Sequence, residues 1–436
     1  MIAYQVRLAL KSLKRNPVLS GLLVGGIALG IAVSMVFVTA YYHLSGNPIP
    51  DKSDRLFYVQ MDSWDPERPW DGDNPSEPPD QLTYTDALAV KASTIPSHSC
   101  ISFKANLTIH PDAEGLRPYR DDVRMTSGDF FPMFEVPFRY GGGWDAAADR
   151  GPEPVVVLDA ETNQKLFGGE NSVGRTLRIE DTDFRIVGVM AHWRPMPKFY
   201  DTHNDPTSGP EHIYIPFTYE ATMQVYSNGN TSNWKPVTGG FEAYLQSETI
   251  WIQAWVQLDD AKQKAAFMDY LAAYVMEQKK LGRFGRPLNN RLRDVMEWLR
   301  FERVVPDEVV ALVLISLLFL LVCSVNLIGI LLGKFLARAP EVGVRRALGA
   351  SRRQIFLHHL VECEVIGIAG GIAGLGLTVL GIRWVESLFT QSFEFSIDWT
   401  LFAVALGLAS VAAMISGAYP AWRICRIEPA VHLKAQ

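Results

Sequence analysis

The strongest constraint on the fold is that four long segments contain no Asp, Glu, Lys or Arg: residues 18–42, 309–333, 365–382 and 399–422. A helix rises about 1.5 Å per residue, so about 20 apolar residues cross the hydrocarbon core of a bilayer. Three segments exceed that length, and the third reaches it if the flanking Glu364 and Arg383 side chains extend to the headgroups. The alternative, a soluble protein, would have to bury four such helices in one core. We therefore predict transmembrane helices at 18–42, 309–333, 359–383 and 399–422.

The distribution of Lys and Arg around these segments predicts their orientation. Basic residues precede the first segment, lie between the second and third, and follow the fourth, whereas the connection between the third and fourth is acidic. Because Lys and Arg favour the cytoplasmic side, both termini should be cytoplasmic and the large insert after the first helix should lie outside. The first segment is too long for the apolar part of a signal peptide, and no A-x-A-like site follows it, so it is predicted to remain as an anchor.

The remaining predicted divisions follow from these spans. They are a cytoplasmic N-terminal amphipathic helix (1–17), an external domain (43–287), an amphipathic stalk helix (288–308), a cytoplasmic loop (334–358), a short external loop (384–398) and a cytoplasmic C-terminus (423–436). The amphipathic helix is predicted because apolar residues recur at helical spacing: Leu288, Leu292, Val295, Met296 and Leu299. The same spacing is compatible with a helix packed on the external domain, which remains the alternative to a stalk.

The external insert reads as an α+β domain, because strand-like stretches alternate with single helices and predict small sheets. Residues 44–303 contain 27 Lys and Arg against 38 Asp and Glu, and this acidic balance disfavours nucleic acid as a partner. Of the four cysteines only Cys100 lies in this insert, so no disulfide framework is expected there.

Candidate catalytic motifs are weak throughout. The stretch "GENSVGRT" at 169–176 approaches a phosphate-binding loop, but Arg175 replaces the required Lys and a strand pattern follows it. We interpret it as a turn. The sequence has no H-E-x-x-H or G-x-S-x-G motif and no His–Cys grouping at zinc spacing, so no catalytic, cofactor or metal residue is predicted.

Glycines in two of the spans predict helix packing, because small residues let helix backbones approach closely in lipid. The predicted packing residues are Gly21, Gly25, Gly26 and Gly30 in the first span and Gly367, Gly370, Gly371 and Gly374 in the third. The partner helix could belong to the same chain or to another. Asn326, the one strongly polar residue deep in a span, is predicted to form a hydrogen bond between helices. No span carries a central charge, so an ion relay is not expected.

Residues 341–356, "EVGVRRALGASRRQIF", place four arginines between two apolar segments. The pattern predicts a short helix, a break at Gly349–Ala350, and Ser351 as the N-cap of a second helix. Such a helix could dock in a groove of another protein. The alternative, arginines that only anchor the loop to lipid headgroups, explains the charge but not the helix–turn–helix pattern.

This stretch, with "IGIAGGIAGLGLTVLGI" and the terminal "YPAWRICRIEPAVHLKA", closely resembles the permeases of the MacB/FtsX/LolC-LolE superfamily, the type VII ABC transporters. The N-terminal "LALKSLKRNPVLSGLLVGGIALGIAV" fits as well. In the insert, "MTSGDFFPMFEVPFRYGGGW", "PVVVLDAETNQKLFGGENSVGRTLRIEDTDFRIVGVM" and "IYIPF" resemble the MacB-type periplasmic core. The resemblance covers both membrane ends and most of the insert.

The resemblance implies an α-helical inner-membrane protein with four transmembrane helices and an α+β extracytoplasmic domain, with porter-like and sabre-like parts, between helices 1 and 2. It implies a coupling helix that includes Glu341, Gly343, Arg345, Arg346, Leu348, Gly349 and Ala350. Pro340 departs from the family pattern, which usually has a polar or basic residue there. The sequence shows no Walker A motif, so ATP and Mg²⁺ are expected on a separate ABC ATPase subunit, with no cofactor in this chain.

The implied function is that of a MacB-like exporter permease that transmits the motion of the ATPase to the periplasm by mechanotransmission. Substrate would come from the periplasm or the outer leaflet. The other implied partners are membrane lipid, a second permease copy or a sister permease, and in an export system a periplasmic adaptor and an outer-membrane channel. The alternative is a signalling permease of the same superfamily, which activates a sensor kinase or cell-wall hydrolase and moves no substrate.

Overall fold

The computed structural model describes residues 7–9, 11–12, 15–112, 115–388 and 399–426. These residues form two compact units. One consists of Gly46–Val304, and the other is formed by the segments that flank it on both sides. The predicted N-terminal helix (1–17), external loop (384–398) and C-terminus (423–436) lie largely outside the described residues.

In the described parts of the flanking segments, four helices are long and apolar enough to span a membrane, which confirms the prediction from the uncharged segments. Their bounds are α1 Pro17–Ser45, α10 Asp307–Leu336, α12 Arg352–Leu388 and α13 Trp399–Cys425, with a short helix α11 at Ala339–Ala347. Helix α1 packs against α10 and α12, and α13 packs against the same two helices. The helices bury a common apolar core between them, which includes Ile27, Ile31, Leu327 and Ala409.

Serines supply hydrogen bonds between these helices. Ser34 Oγ in α1 donates to the backbone oxygen of Ser316 in α10 (2.9 Å), and Ser416 Oγ in α13 donates to that of Ser324 (2.7 Å). Asn326 does not form the predicted hydrogen bond with any described residue of this chain, since its side chain lies on an exposed face of α10, and a bond to another chain stays a prediction. A serine reaches a neighbouring carbonyl because its short side chain fits where the helices are close.

The unit Gly46–Val304 is an α+β domain, as the sequence predicts. Its strands are β1 Leu56–Gln60, β2 Leu82–Thr83, β3 His98–His110, β4 Tyr119–Thr126, β5 Phe138–Gly141, β6 Val155–Leu158, β7 Thr176–Ile179, β8 Thr182–Met190, β9 Ile213–Pro216, β10 Ile250–Gln257 and β11 Arg291–Asp294. Its helices are α2 Tyr84–Ala92, α3 Phe130–Met133, α4 Ala146–Arg150, α5 Ala160–Phe167, α6 Tyr219–Met223, α7 Phe241–Leu245, α8 Ala261–Lys280 and α9 Val295–Phe301, with a 3-10 helix at Phe199–Asn204.

The strands join into one eleven-stranded sheet in the order β11-β1-β10-β3-β4-β9-β6-β8-β5, with β2 beside β10 and β7 beside β3 and β8. The expectation of separate small sheets is therefore wrong. The physical reason is the length of β3, which has 13 residues. Its first half pairs with β10, and its far end pairs with β7, so one strand connects both parts of the sheet.

Local capping explains where several of these helices begin. Thr83, Asp159 and Asp260 are in extended conformation, and each side chain accepts a hydrogen bond from a backbone N–H in the first turn of α2, α5 or α8. The helices cover an apolar sheet core that includes Phe103, Trp251 and Phe267. The division of this domain into porter-like and sabre-like parts stays a prediction.

The stalk helix predicted at 288–308 is wrong over its first half. Residues 291–294 form strand β11, which pairs with β1. Within the predicted stalk, the only helix before Pro306 is α9. Leu292 is buried by this pairing, whereas Leu288 remains exposed. Helix α9 starts at a capping box in which Asp294 and Glu297 exchange side-chain to backbone hydrogen bonds. The apolar residues that recur at helical spacing in the sequence therefore belong to two different elements, strand β11 and helix α9.

Candidate functional site

The segment between the second and third membrane helices forms a helix with well-defined ends. Pro340 lies in the first turn of α11, where a missing N–H costs nothing. At the other end Gly349 has φ +96, a left-handed conformation that favours glycine. Its N–H donates to Arg346 O (3.1 Å), and the N–H of Ala350 donates to Arg345 O (3.0 Å). This pair of bonds is a Schellman motif, which fixes the turn after the helix.

The next helix begins immediately after this turn. Ser351 Oγ accepts from the Gln354 N–H (3.2 Å), and Gln354 Oε1 accepts from the Ser351 N–H (3.0 Å). This reciprocal capping box starts α12 at Arg352. The helix, break and cap that the sequence predicts at 341–351 are therefore all present.

Helix α11 exposes an apolar surface at its end. Val342 and Gly343 are buried, whereas Val344 and Leu348 are exposed, Leu348 by 83%. Val344 and Leu348 are four residues apart, so they lie on one face of the helix. Glu341 and Arg345 form an exposed ion pair (2.7 Å between Oε1 and Nη2) beside this face.

A buried ionic cluster holds the helix ends next to α11. Lys334 Nζ in α10 lies 2.9 Å from Glu362 Oε1 in α12, and both side chains are almost fully buried. Arg338 Nη1 lies 3.4 Å from the same oxygen and donates to Ser12 Oγ (2.6 Å), which also contacts Glu362. One carboxylate thus joins α10, α12 and the segment before α1.

A cavity of about 230 Å³ lies between α11 and the start of α12. Its walls include Glu341, Arg345, Gln354 and His358, so it combines both charges with neutral polar groups. Among the predicted coupling residues, Glu341, Arg345 and Ala350 face this cavity. Arg346 is half-buried, and Leu348 and Gly349 are exposed at the end of α11.

The predicted packing glycines divide into two groups. In α12, a Cβ on Gly367, Gly370, Gly371 or Gly374 would lie within 3 Å of a side chain on α1 or α13. In α1, a Cβ on Gly30 would lie 2.7 Å from Leu320 Cδ1, and one on Gly26 would lie 3.1 Å from Leu327 Cδ2. Gly21 and Gly25 are exposed, and no described heavy atom lies within 4 Å of a Cβ placed there. Those two glycines therefore make no close helix contact within the described chain.

The external domain contains a fully buried ionic network that no motif in the sequence indicates. Arg124 in β4 donates through Nη2 to Asp201 and Glu211, and its side chain is completely buried. Lys198 Nζ lies 3.5 Å from Glu211 Oε1, and the Tyr200 hydroxyl donates to Glu211 Oε2 (3.1 Å). Together these contacts tie β4 to the 3-10 helix and to the chain before β9.

Charge compensation keeps this network ionised. Burial alone would raise the pKa of Glu211, but the charges of Arg124 and Lys198 outweigh it and hold that pKa well below its usual value. The same two cations lower the pKa of Asp201 against the effect of its burial. Buried charges are tolerated only when they are paired in this way, so the network has a structural role.

The phosphate-loop-like stretch at 169–176 is a loop followed by strand β7. Ser172 Oγ donates to Asn163 Oδ1 (2.6 Å), and the Arg175 guanidinium lies over the Phe167 ring at 4.4 Å. A phosphate-binding loop would lead into a helix, whose N-terminus binds the anion. The interpretation as a turn is confirmed.

Family models match both units. A model described as the MacB-like periplasmic core domain matches residues 20–274, and one described as the FtsX-like permease C-terminal region matches residues 313–429. The first of these covers more than half of the chain.

Curated relatives include the macrolide export ATP-binding/permease protein MacB of Salmonella paratyphi A, which is 23% identical over 366 residues. That match covers 82% of this chain and 50% of the relative. A probable syringafactin export ATP-binding/permease protein of Pseudomonas syringae pv. tomato is 24% identical, over 70% of this chain and 40% of the relative. The chain thus spans about half the length of the curated relatives it matches.

Two solved structures align with the chain. One is the periplasmic region of MacB from Actinobacillus actinomycetemcomitans (13% identity, TM-score 0.35, 57% of this chain and 92% of that one). The other is the extracellular domain of the ABC-type transporter YknZ from Gram-positive bacteria (12% identity, TM-score 0.34, 55% of this chain and 100% of that one).

Proposed function

The chain belongs to the MacB-like periplasmic core domain family with an FtsX-like permease region, and from this premise we propose that it is the permease subunit of an ABC exporter. In this proposal a separate ABC ATPase binds at α11 on the cytoplasmic side. The Gly46–Val304 domain works on the opposite side of the inner membrane. The motion of the ATPase, and not passage of cargo through the helices, links the two sides.

The observation that carries the proposal is the exposed apolar end of α11. Leu348 and Val344 are exposed side by side at the end of a helix that has Pro340 in its first turn and is closed by a Schellman turn. Lipid anchoring by arginines would not require Leu348 to stand at the end of a capped helix. A protein groove that receives an apolar helix face accounts for both features.

The cluster around Glu362 supports a transmission role. A displacement of α11 acts on α10 and α12 together, because the Lys334–Glu362 ion pair and Arg338 join them. Helix α10 follows the external domain directly in the chain, so its movement would reach that domain. Packed cores transmit such movements because they resist compression.

The polar contacts of the membrane helices favour transmission of motion over conduction of a substrate through the helices. The interhelical polar contacts described above are serine hydroxyls bonded to backbone oxygens, and the ionic cluster lies at the helix ends. We therefore expect substrate to be taken from the periplasm or the outer leaflet.

The outward face of α10 is expected to meet a second permease copy or lipid, since Leu314, Ile315 and Leu318 are exposed on it. A periplasmic adaptor and an outer-membrane channel are further expected partners. The signalling alternative uses the same coupling and differs only in whether substrate moves.

The proposal is tested by co-purifying the ATPase with the full chain from membranes. Leu348→Asp should abolish co-purification while the subunit still inserts and remains folded, because the Leu348 side chain is largely exposed to solvent. The matched control is Leu281→Asp, a similarly exposed leucine in the external domain (75% against 83% for Leu348), which should leave the complex intact. Normal assembly with Leu348→Asp would contradict docking at α11.

A further inference from the structure

The external domain contains a second buried polar cluster, separate from the Arg124 network. Asp80 precedes β2, His203 lies in the 3-10 helix and Glu302 follows α9. Their side chains are mostly buried, with His203 only 4% exposed. One oxygen from each carboxylate and one His203 nitrogen lie within 4.8 Å of one another.

Both carboxylates converge on the same imidazole nitrogen. His203 Nε2 lies 2.9 Å from Asp80 Oδ2 and 3.4 Å from Glu302 Oε2. A single N–H can point at only one acceptor, and neither ring nitrogen of His203 makes an aligned hydrogen bond with any described residue. Asp80 Oδ1 is likewise buried without a hydrogen-bond partner among those residues. Buried polar atoms usually have a partner, so an imidazole nitrogen without an aligned hydrogen bond between two carboxylates points to a bound group.

From this arrangement we propose that Asp80, His203 and Glu302 bind a divalent transition-metal ion of the Zn²⁺ type. Ligand atoms about 2.1 Å from a metal ion are about 3.0 Å apart at right angles and about 3.4 Å apart in a tetrahedron. The two separations from Nε2, 2.9 and 3.4 Å, lie close to the limits of this range, so the three ligand atoms leave room for one ion in a distorted site. One imidazole with two carboxylates is a ligand set that suits Zn²⁺, and three protein ligands leave a position for water.

The surroundings hold the three ligands in place. Thr202 Oγ1 donates to Glu302 Oε2 (3.0 Å), and the Tyr58 hydroxyl donates to the backbone oxygen of Asp80. The Tyr58 ring stacks on Trp298 at 3.7 Å, and the His203 ring lies 5.6 Å from that Trp298 ring. Outer contacts of this kind orient metal ligands and limit their rotation.

A cavity of about 490 Å³ gives access to the cluster. Asp80 and Glu302 line it, and Asp71 and Asp73 add carboxylates to its wall. Arg303 contributes a positive charge to the same wall. Glu77 lies in the same wall, so five of its six charges are negative, and this excess favours entry of a cation.

The competing interpretation is an imidazolium ion held by the two carboxylates. Burial disfavours the charged ring, but the Asp80 and Glu302 charges outweigh it and raise the pKa of His203 to about 9. Both interpretations place positive charge between the carboxylates, and only metal binding distinguishes them. A bound metal would join three segments that are distant in the sequence, including the one that leads to α10.

The test uses the full chain in detergent after removal of metal with a chelator. Titration with Zn²⁺ against a chromophoric chelator should show one ion per chain, and Co²⁺ should give a ligand-field spectrum that Zn²⁺ abolishes. His203→Gln and Glu302→Gln should each weaken Zn²⁺ binding about tenfold or more. Mg²⁺ should not displace Zn²⁺ at equal concentration, because it prefers sites made only of oxygen.

The matched control is His212→Gln, since His212 lies near Asp159 and Glu161 in the only other His–carboxylate group of this kind among the described residues. It should leave the affinity and the stoichiometry unchanged. As a variant that keeps a ligand, His203→Cys should retain Co²⁺ and add a thiolate charge-transfer band.

Absence of Zn²⁺ binding by the folded wild-type chain would overturn the proposal in favour of the imidazolium ion. Binding that survives both His203→Gln and Glu302→Gln, or that is lost in His212→Gln, would also overturn it. None of these outcomes depends on ATPase docking, so they leave the proposed exporter function untouched.

Discussion

Lys334 and Glu362 form an ion pair of 2.9 Å that joins the end of the second membrane helix to the beginning of the third, and both side chains are buried. Arg338 approaches the same carboxylate oxygen at 3.4 Å. Desolvation of these three charges is costly, so their mutual attraction has to compensate for it. The cluster therefore fixes the geometry of the two helices that flank α11.

Glu362→Gln should destabilise the membrane unit by about 3–5 kcal/mol, because it leaves the buried Lys334 and the half-buried Arg338 without their counter-ion. The measurement is the free energy of unfolding in detergent. Glu341→Gln is the control, since its exposed pair with Arg345 contributes only about 0.3–0.5 kcal/mol. Equal effects of the two substitutions would contradict the structural role of Glu362.

Gly349→Ala should destabilise the turn after α11 by about 1–2 kcal/mol, because an alanine at φ +96 is strained. Gly343→Ala in the same helix should instead be neutral or stabilise by up to about 1 kcal/mol, since a Cβ there meets open space. The rate of hydrogen exchange of residues 339–358 measures the effect of both substitutions on local stability. Faster exchange in Gly343→Ala than in Gly349→Ala would contradict the Schellman geometry.

Gly370→Ala should destabilise the helix bundle by about 1–3 kcal/mol, because the added Cβ would lie 2.7 Å from Ile27 Cβ on α1. Gly376→Ala in the same helix is the control, as no described heavy atom lies within 4 Å of its Cβ position. Thermal unfolding in one detergent compares them. If both variants unfold at the same temperature, α12 does not pack on α1 through Gly370.

The stability of the external domain should fall as the pH drops below about 4.5, the ordinary pKa of a glutamate. The pKa values of Glu211 and Asp201 are lowered in the folded state, so their contribution is present above the unfolded pKa and is lost in acid. Protection of residues 199–216 from hydrogen exchange at pH 3 to 7 measures this.

Arg124→Met serves as the test variant for that pH dependence. It leaves two buried carboxylates without their main counter-charge, and protonation then relieves their repulsion. The acid loss of protection should disappear in this variant, although its stability at neutral pH is lower. If Arg124→Met loses protection in acid as the wild-type chain does, the pH dependence comes from other carboxyl groups.

The four membrane helices were predictable because an apolar stretch of span length without any charge is rarely tolerated outside a bilayer. The ends of α11 were also predictable, since Pro340, Gly349 and Ser351 act locally. The eleven-stranded sheet was not, because nothing in the β3 sequence shows that its two halves pair with different strands. The stalk prediction failed because strand β11 and helix α9 together mimic one helical pattern.

The charged clusters could not be predicted from the sequence. Arg124 looks like any polar residue of a strand, and its partners Asp201 and Glu211 are far away in the chain. Asp80, His203 and Glu302 likewise come from three separate segments, so no ligand spacing signals them. Such clusters depend on the tertiary fold, whereas caps and spans depend on neighbours in the sequence.

Transmission across the membrane is tested most directly by asking whether α11 and the external domain lie on opposite sides of the bilayer. Leu348→Cys and Leu281→Cys place thiols at two highly exposed positions, and both are made in a Cys323→Ser background, since Cys323 in α10 is half-buried while native Cys100, Cys363 and Cys425 are buried. In intact spheroplasts a membrane-impermeant maleimide should label Leu281→Cys, whereas Leu348→Cys should react only after permeabilisation. Labelling of both variants in intact spheroplasts would contradict transmission from a cytoplasmic ATPase to an external domain.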